Sequence, residues 1–375
     1  MKSDWQTKRL DDACEVEYGT RVVNKKHGGS KYPVYGGGGA TFFMDRSNRE
    51  NRMVVARFAM SEQCTRFVTG EFFLNDSGLT VAPKSCRVIA QGFLDWQMLF
   101  LNDKIYSLAR GSAQKNLDVP AFRNMEISFP ESLTEQKRIV KTLDEVFEKV
   151  ATAKENAEKN LKNSKELFES YLQSVFTNRG KDWEKQSLSN VCEVEYGYTE
   201  KAKSDGDYRF VRITDTDENG LLTQENKMYV RSFDGANKYL LNDGDLLMAR
   251  TGASAGNVLF FESDEKAIFA SYLIRLKFKK EVSSKLYWFF SKSKLYWDQV
   301  KQLSAGSAQP QFNGGALKKI TFPFPKSLHE QKAIIKKLDA LSVETKKLEK
   351  IYEQKLVDLE ELKKSILSGA FKGGL

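Results

Sequence analysis

Two stretches of this chain space their apolar residues as a long paired helix does. In residues 133–177, Leu143, Val146, Val150, Ala153, Ala157, Leu167 and Tyr171 fall on one seam. In residues 328–368, the matching seam is Leu338, Leu341, Leu348, Tyr352, Leu359, Leu362 and Ile366. This is the a/d spacing of a coiled coil. Asn160, Ser164, Thr345 and Lys355 interrupt it with polar side chains. No Pro or Gly breaks either stretch, so the 45 residues of the first predict a rod of roughly 67 Å at about 1.5 Å per residue, and the second one nearly as long. The first seam is small at its middle (Ala153, Ala157) and the second is large there (Leu348, Tyr352). An antiparallel pairing sets small against large. The expected contact residues are Leu143, Val150, Ala157 and Leu167 on one helix, and Leu338, Leu348, Tyr352 and Leu359 on the other.

Each rod opens on the same signal. Pro130 and Pro325 precede Ser132 and Ser327, with Glu135 and Glu330 three residues later. That is the S-x-x-E capping box of a helix start. Glu135-x-Lys137 and Glu330-x-Lys332 match part of a nuclease signature, but with no paired acidic strand before them they read as helix starts.

The rods belong to a larger repeat. Cys14-Glu15-Val16-Glu17-Tyr18-Gly19 recurs without change at Cys192–Gly197, 178 residues on. At an offset of 195, Gly111-Ser112-Ala113-Gln114 recurs as Gly306-Ser307-Ala308-Gln309, Phe129-Pro130 as Phe324-Pro325, Leu143-Asp144 as Leu338-Asp339, and Phe176 as Phe371. Several matches on one offset mark a duplicated unit. The expected segments are a body at 1–131, a helix at 132–179, a second body at 180–326 and a second helix at 327–375. Between matched ends the bodies diverge, as two units doing one job on different targets would.

Within the bodies, short β-prone runs end in arginine and are followed by small residues. Val54-Val55-Ala56-Arg57 and Leu247-Met248-Ala249-Arg250-Thr251-Gly252 are the clearest, and Arg209-Phe210-Val211-Arg212 is a third. Such strand-to-loop junctions place an arginine where it can reach a base edge or a phosphate. Lys25, Lys26, Tyr35, Gly37, Arg57, Ser112, Gln114, Arg212, Arg250, Thr251, Ser307 and Gln309 are therefore the candidate DNA-binding residues. The glycines at 36–39 lack the third glycine of G-x-G-x-x-G, so they read as a turn that approaches DNA rather than a phosphate cradle.

Composition narrows the function. Lys plus Arg exceed Asp plus Glu by 59 to 50, a mild bias towards polyanions. Cys14, Cys64, Cys86 and Cys192 form no C-x-x-C pair, and only His27 and His329 could add imidazoles. The expectation is no metal site, and buried reduced thiols in a cytoplasmic protein. There is no N-P-P-[FY] or D-P-P-[FY] string, as a DNA methyltransferase would carry. A scaffold that binds protein through its helices would explain the rods but not duplicated arginine-ended strands.

A variable body, a G-S-x-Q stretch, an F-P turn, an E-Q-K helix start and a long helix, all occurring twice, resemble the specificity subunit of type I restriction-modification systems. Met248-Ala249-Arg250-Thr251-Gly252 and Tyr32-Pro33-Val34-Tyr35-Gly36-Gly37 also resemble its target-recognition domains. The resemblance implies an α+β protein: two α/β target-recognition domains, each followed by a long helix, the helices forming an antiparallel coiled coil with pseudo-two-fold symmetry. It further implies a non-catalytic subunit that reads a bipartite DNA target. Two methylation subunits and motor-nuclease restriction subunits would dock on it. No cofactor is expected in this chain; S-adenosylmethionine would sit in the methylation partner. One departure stands out: Ala56-Arg57-Phe58-Ala59 replaces the A-R-T-G of the second body.

Overall fold

The computed structural model describes residues 4–304 and 311–372. It divides into two compact units, one of Met1–Glu158 with Glu353–Leu375 and one of Lys159–Tyr352. Each unit therefore holds one body, one half of the first long helix and the opposite half of the second.

The bodies share one strand order. In the first unit a six-stranded sheet runs Cys14–Tyr18, Gly78–Pro83, Arg49–Ala56, Thr65–Leu74, Tyr32–Tyr35, Ala40–Met44. In the second unit the order Cys192–Tyr196, Leu273–Phe278, Leu246–Ala249, Val258–Phe260 makes one sheet. Ala267–Phe269, Tyr208–Val211 and Tyr229–Val230 make another. The ten-residue strand Thr65–Leu74 is thus replaced by two three-residue strands. The parallel step survives in both, as Val34 opposite Phe73 and Phe210 opposite Ile268. A two-stranded antiparallel ribbon closes each body, Trp5–Arg9 on Glu126–Pro130 and Trp183–Ser187 on Thr321–Pro325.

Alternation along a strand explains why the arginine-ended runs are so apolar. Leu246 and Met248 point into the main core of their unit, Leu247 and Ala249 into a second cluster on the other face. A strand covered on both sides needs apolar residues at every position.

The two long helices span Leu133–Thr177 and Leu328–Lys372. Within the first unit, Ile139 and Leu143 share a core cluster with Leu367, Ala370 and Phe371, and Lys154 pairs with Glu360 at 2.9 Å. Within the second, Leu172 and Phe176 share a cluster with Leu338. Early residues of one helix meet late residues of the other in each unit, so the two run antiparallel. The matched phenylalanines close the exchange: Phe371 packs on Phe93 and Phe100, Phe176 on Phe290 and Trp183.

The seam differs from the expected one at two contact residues. Leu143, Val150, Ala157, Leu338 and Leu359 are buried and Tyr352 is half-buried, but Leu167 is 51% exposed and Leu348 37%. After Ala157, burial passes to Ser164, Phe168, Leu172 and Phe176, in steps of four. The stripe leaves the 3.5-residue period there because it turns onto the second body as well as the partner helix. The supposed polar breaks Ser164 and Thr345 lie inside the seam. Each hydroxyl is satisfied by its own helix, at Asn160 O (2.8 Å) and Leu341 O (2.9 Å).

The E-Q-K motif does more than start a helix. The Gln136 side chain, fully buried, accepts from Ala90 N (2.8 Å) and donates to Val88 O (2.9 Å) and Pro130 O (2.8 Å). Gln331, equally buried, accepts from Ser283 N (2.8 Å) and donates to Glu281 O (2.9 Å) and Pro325 O (2.8 Å). One amide thus joins the helix, the closing ribbon and the start of a body helix in both units. The capping box is realised unevenly. Ser132 Oγ accepts from Glu135 N at 3.4 Å, whereas the Glu330 carboxylate takes the Trp183 indole N–H at 3.0 Å.

Candidate DNA interface

Repeated strings that lie far apart in the sequence converge in each body, the C-E-V-E-Y-G string and the arginine-ended strand. Strand Cys14–Tyr18 pairs with Gly78–Pro83, which pairs with Arg49–Ala56. Tyr18 therefore ends beside Arg57, the residue after the last strand. The Arg57 Cζ lies 5.0 Å from the Tyr18 ring centroid and 4.5 Å from that of Phe58. In the second body, strand Cys192–Tyr196 pairs with Leu273–Phe278, and that with Leu246–Ala249. Arg250 Cζ lies 5.4 Å from the Tyr196 ring and 5.7 Å from that of Tyr272. All four contacts are within cation–π range.

The backbone of each arginine is pinned on both sides by equivalent groups. Arg57 N donates to Ser77 O (2.9 Å), and Arg57 O accepts from Leu117 N (2.9 Å). Arg250 N donates to Tyr272 O (3.0 Å), and Arg250 O accepts from Phe312 N (2.8 Å). The residue pairs Ser77/Tyr272 and Leu117/Phe312 keep the offset of 195, so the duplication reaches into the diverged bodies. The glycine closing each C-E-V-E-Y-G string is required by a close approach. A Cβ on Gly19 would lie 2.0 Å from Asn75 O, and one on Gly197 2.2 Å from Ala270 O.

The G-S-A-Q stretch of the first body forms the tip of a hairpin whose return strand is tied to the Arg57 loop. Gly111, with φ 110°, turns the chain between Ala109–Arg110 and Asn116–Leu117, leaving Ser112 and Gln114 exposed at the tip. Met60 N donates to Lys115 O at 2.8 Å, tying the tip to the loop after Arg57. Ser307 and Gln309 lie outside the described residues; Thr251 and Gln311 form an antiparallel bridge.

The missing glycine of the first body also has an account. Ala59 adopts φ 49° where Gly252 adopts φ 77°. Its N–H is held by Asn116 Oδ1 at 3.2 Å. The same left-handed turn is built without glycine, at a steric cost.

The other candidates are placed as follows. Lys25 and Lys26 are exposed on the short helix Asn24–His27. Tyr35 is half-buried, edge-on to Phe72 at 5.7 Å. A Cβ on Gly37 would lie 3.0 Å from both Ala56 Cβ and Phe58 O, so this glycine lets the turn pack against the Arg57 loop. Arg212 is engaged internally, with the Asp215 carboxylate at 2.7 and 3.2 Å and Asn226 O at 3.1 Å.

Among the described residues no group of His, Cys, Asp and Glu could hold a metal, and no helix is long and apolar enough to cross a membrane. Cys14, Cys64 and Cys192 are buried, and burial pushes their thiols up to about 12, 11 and 12. Cys86 is exposed, contrary to the expectation of four buried thiols.

Comparison with known proteins decides the family. A model of the type I restriction modification DNA specificity domain matches residues 2–163 and again 180–357, one match per repeat. The chain belongs to this specificity family. A specificity subunit of the type I restriction enzyme StySPI from Salmonella potsdam is 25% identical over 295 residues. That alignment covers 74% of this chain and 63% of the relative's length. Two solved structures share the fold. One is described as showing complex assembly and conformational transition of the type I R-M system (TM-score 0.76, 16% identity, 100% and 99% coverage). The other is the HsdS subunit from Thermoanaerobacter tengcongensis (TM-score 0.61, 17% identity, 100% and 98% coverage). The matched family is one of DNA specificity domains, and the chain has the α+β, two-body, two-helix fold of these solved structures.

Within this family member, inspection of the sequence singled out Arg57 and Arg250 but missed their aromatic partners. Tyr18 and Tyr196 were visible only as part of a repeated string. The usable signal was that the string ends in an aromatic residue followed by glycine, on a strand two places from the arginine strand.

Proposed function

We propose that this chain reads a bipartite DNA target, one half through each body, and docks the methylation and restriction subunits of a type I complex. Bodies 1–131 and 180–326 are the target-recognition domains, and the segments 132–179 and 327–375 join them. The supporting observation is the duplicated arginine cradle, built from equivalent residues in bodies whose surrounding sequence has diverged. An arginine held at a strand end with exposed rings beside it suits contact with base edges and sugar-phosphate backbone. Ser112 and Gln114, and by the repeat Ser307 and Gln309, extend each surface with further donors and acceptors, and Lys25, Lys26 and Thr251 flank it. Exposed Leu167, Leu348 and Leu362 are available to partner subunits. Two methylation subunits would bring S-adenosylmethionine and the adenine chemistry, and the complex would act in the cytoplasm.

The test is reconstitution. The full chain, its cognate methylation subunit and the two together are each incubated with DNA and S-adenosylmethionine. Methylation at defined sites by the mixture alone supports the reading. Methylation by this chain alone, or the same sites marked without it, contradicts it.

A further inference from the structure

Many arginines in these bodies are spent on carboxylates, although Arg21, Arg46, Arg52, Arg66 and Arg87 of the first body form no ion pair among the described residues. Arg123 pairs with Asp11, Arg209 with Glu265, Arg212 with Asp215, and Arg275 with Glu195 and Asp245. Arg57 and Arg250 are not. Among the described residues the Arg57 guanidinium makes a single long hydrogen bond, 3.4 Å to Asp76 O. Among the described residues Arg250 has neither an ion pair nor a side-chain hydrogen bond. What both have is two aromatic rings apiece.

This combination is informative because it occurs twice. Rings against a guanidinium attract the cation without using any of its five N–H donors. The backbone is fixed by hydrogen bonds to neighbouring loops and the guanidinium lies against two rings, so the side chain is restrained before any ligand arrives. A phosphate is satisfied by a mobile cation. A base edge needs a fork presented in one place, and guanine is the base whose O6 and N7 accept such a fork. Tyr18, Tyr196 and Tyr272 are each more than two-fifths exposed, so the cradle faces solvent rather than the core.

We propose that Arg57 and Arg250 each read one guanine, one in each half of the target, and that Tyr18 and Tyr196 are positioning residues that hold them for it. The inference rests on the DNA-reading function proposed above. It names the base each arginine takes and gives the repeated C-E-V-E-Y-G string its role. Pairing of the strands carries the tyrosine to the arginine. The close-packed glycine after it turns the chain away, leaving the ring in place.

The experiment is adenine-methylation mapping of cells expressing the full chain with its methylation subunit, as wild type and as Arg57→Lys, Tyr18→Phe, Tyr18→Leu, Arg250→Lys and Tyr196→Leu. A bidentate arginine–guanine pair discriminates by roughly 10- to 100-fold. The wild-type motif is expected to specify a guanine in each half. Arg57→Lys should make one such guanine degenerate, with preference falling to about threefold or less, and leave the other half unchanged. Arg250→Lys should do the converse. Tyr18→Leu should relax the same position as Arg57→Lys, and Tyr18→Phe, which keeps the ring, should retain it. Tyr18→Phe keeps the ring and gives up only the contact of the Tyr18 hydroxyl with the Arg123 side chain, whereas the Tyr196 hydroxyl accepts from the backbone at Gly314 N (3.1 Å).

An even loss of methylation at all sites with an unchanged motif would make these arginines phosphate clamps and overturn the proposal. So would a half-site without guanine, or relaxation of a position by Tyr18→Phe equal to that by Tyr18→Leu. A wild type that marks no split motif fails differently: it removes the two-reader function itself, and the guanine assignment with it.

Discussion

Gly252 and Ala59 set a single backbone conformation at equivalent places with different chemistry. Among the described residues no atom lies within 4 Å of a Cβ placed on Gly252, so replacing it costs the left-handed backbone, roughly 1–2 kcal/mol. Gly252→Ala is therefore expected to lower stability by that amount in chemical denaturation. Ala59→Gly should raise stability by about 0.5–1 kcal/mol, relief of strain being partly offset by a freer unfolded chain. Equal and opposite effects at the two sites are not expected, because Asn116 holds Ala59. Asp95 offers a second residue-level test. It is buried beside Gln91 and Met53, and burial pushes its carboxyl up to about 6 despite hydrogen bonds from both. The folded state then holds a proton that the unfolded state releases near the usual value of 3.8. Stability contributed by this group falls as pH rises from about 4 to about 6. Asp95→Asn should gain up to about 3 kcal/mol over the native chain at pH 7.5 and nothing at pH 4. An equal difference at both pH values would contradict the assignment.

At the scale of elements, the legible and the hidden divide along the range of the interaction. The long helices, their antiparallel course and the arginine-ended strands follow from local spacing and from internal comparison of the repeats. Leu167 and Leu348 were misplaced because a heptad read along one helix assumes one partner, whereas each rod also packs on a body. Gln136 and Gln331 read as helix-start residues, and their burial came from groups 46 to 50 residues away. Nothing in a local pattern reveals such a partner. The consequence is testable: Gln331→Leu leaves Ser283 N, Glu281 O and Pro325 O without their bonds. A loss of about 2–4 kcal/mol is expected, since each orphaned buried group costs about 1–3 kcal/mol before relaxation. Leu167→Gln, at an exposed position of the same architecture, should change stability by no more than about 0.5 kcal/mol. A milder effect for Gln331→Leu than for Leu167→Gln would refute this view of how bodies and helices are joined.

For the whole molecule, duplication is the fact from which the functional account grows. The chain repeats an order of elements, a hydrogen-bonded glutamine, a closing ribbon and an arginine cradle. It varies what surrounds them, down to the splitting of one long strand into two. Invariant parts suit assembly and positioning; varied parts suit different half-sites. That matched ends enclose diverged bodies was readable from the offsets in the sequence. The convergence of tyrosine and arginine was not, because it depends on strand pairing across the sheet. The most direct test maps methylated adenines genome-wide by long-read sequencing in cells carrying this chain and its methylation subunit. The account predicts one motif in two specified halves separated by a fixed unspecified gap. A single continuous motif, or no motif dependent on this chain, would contradict it.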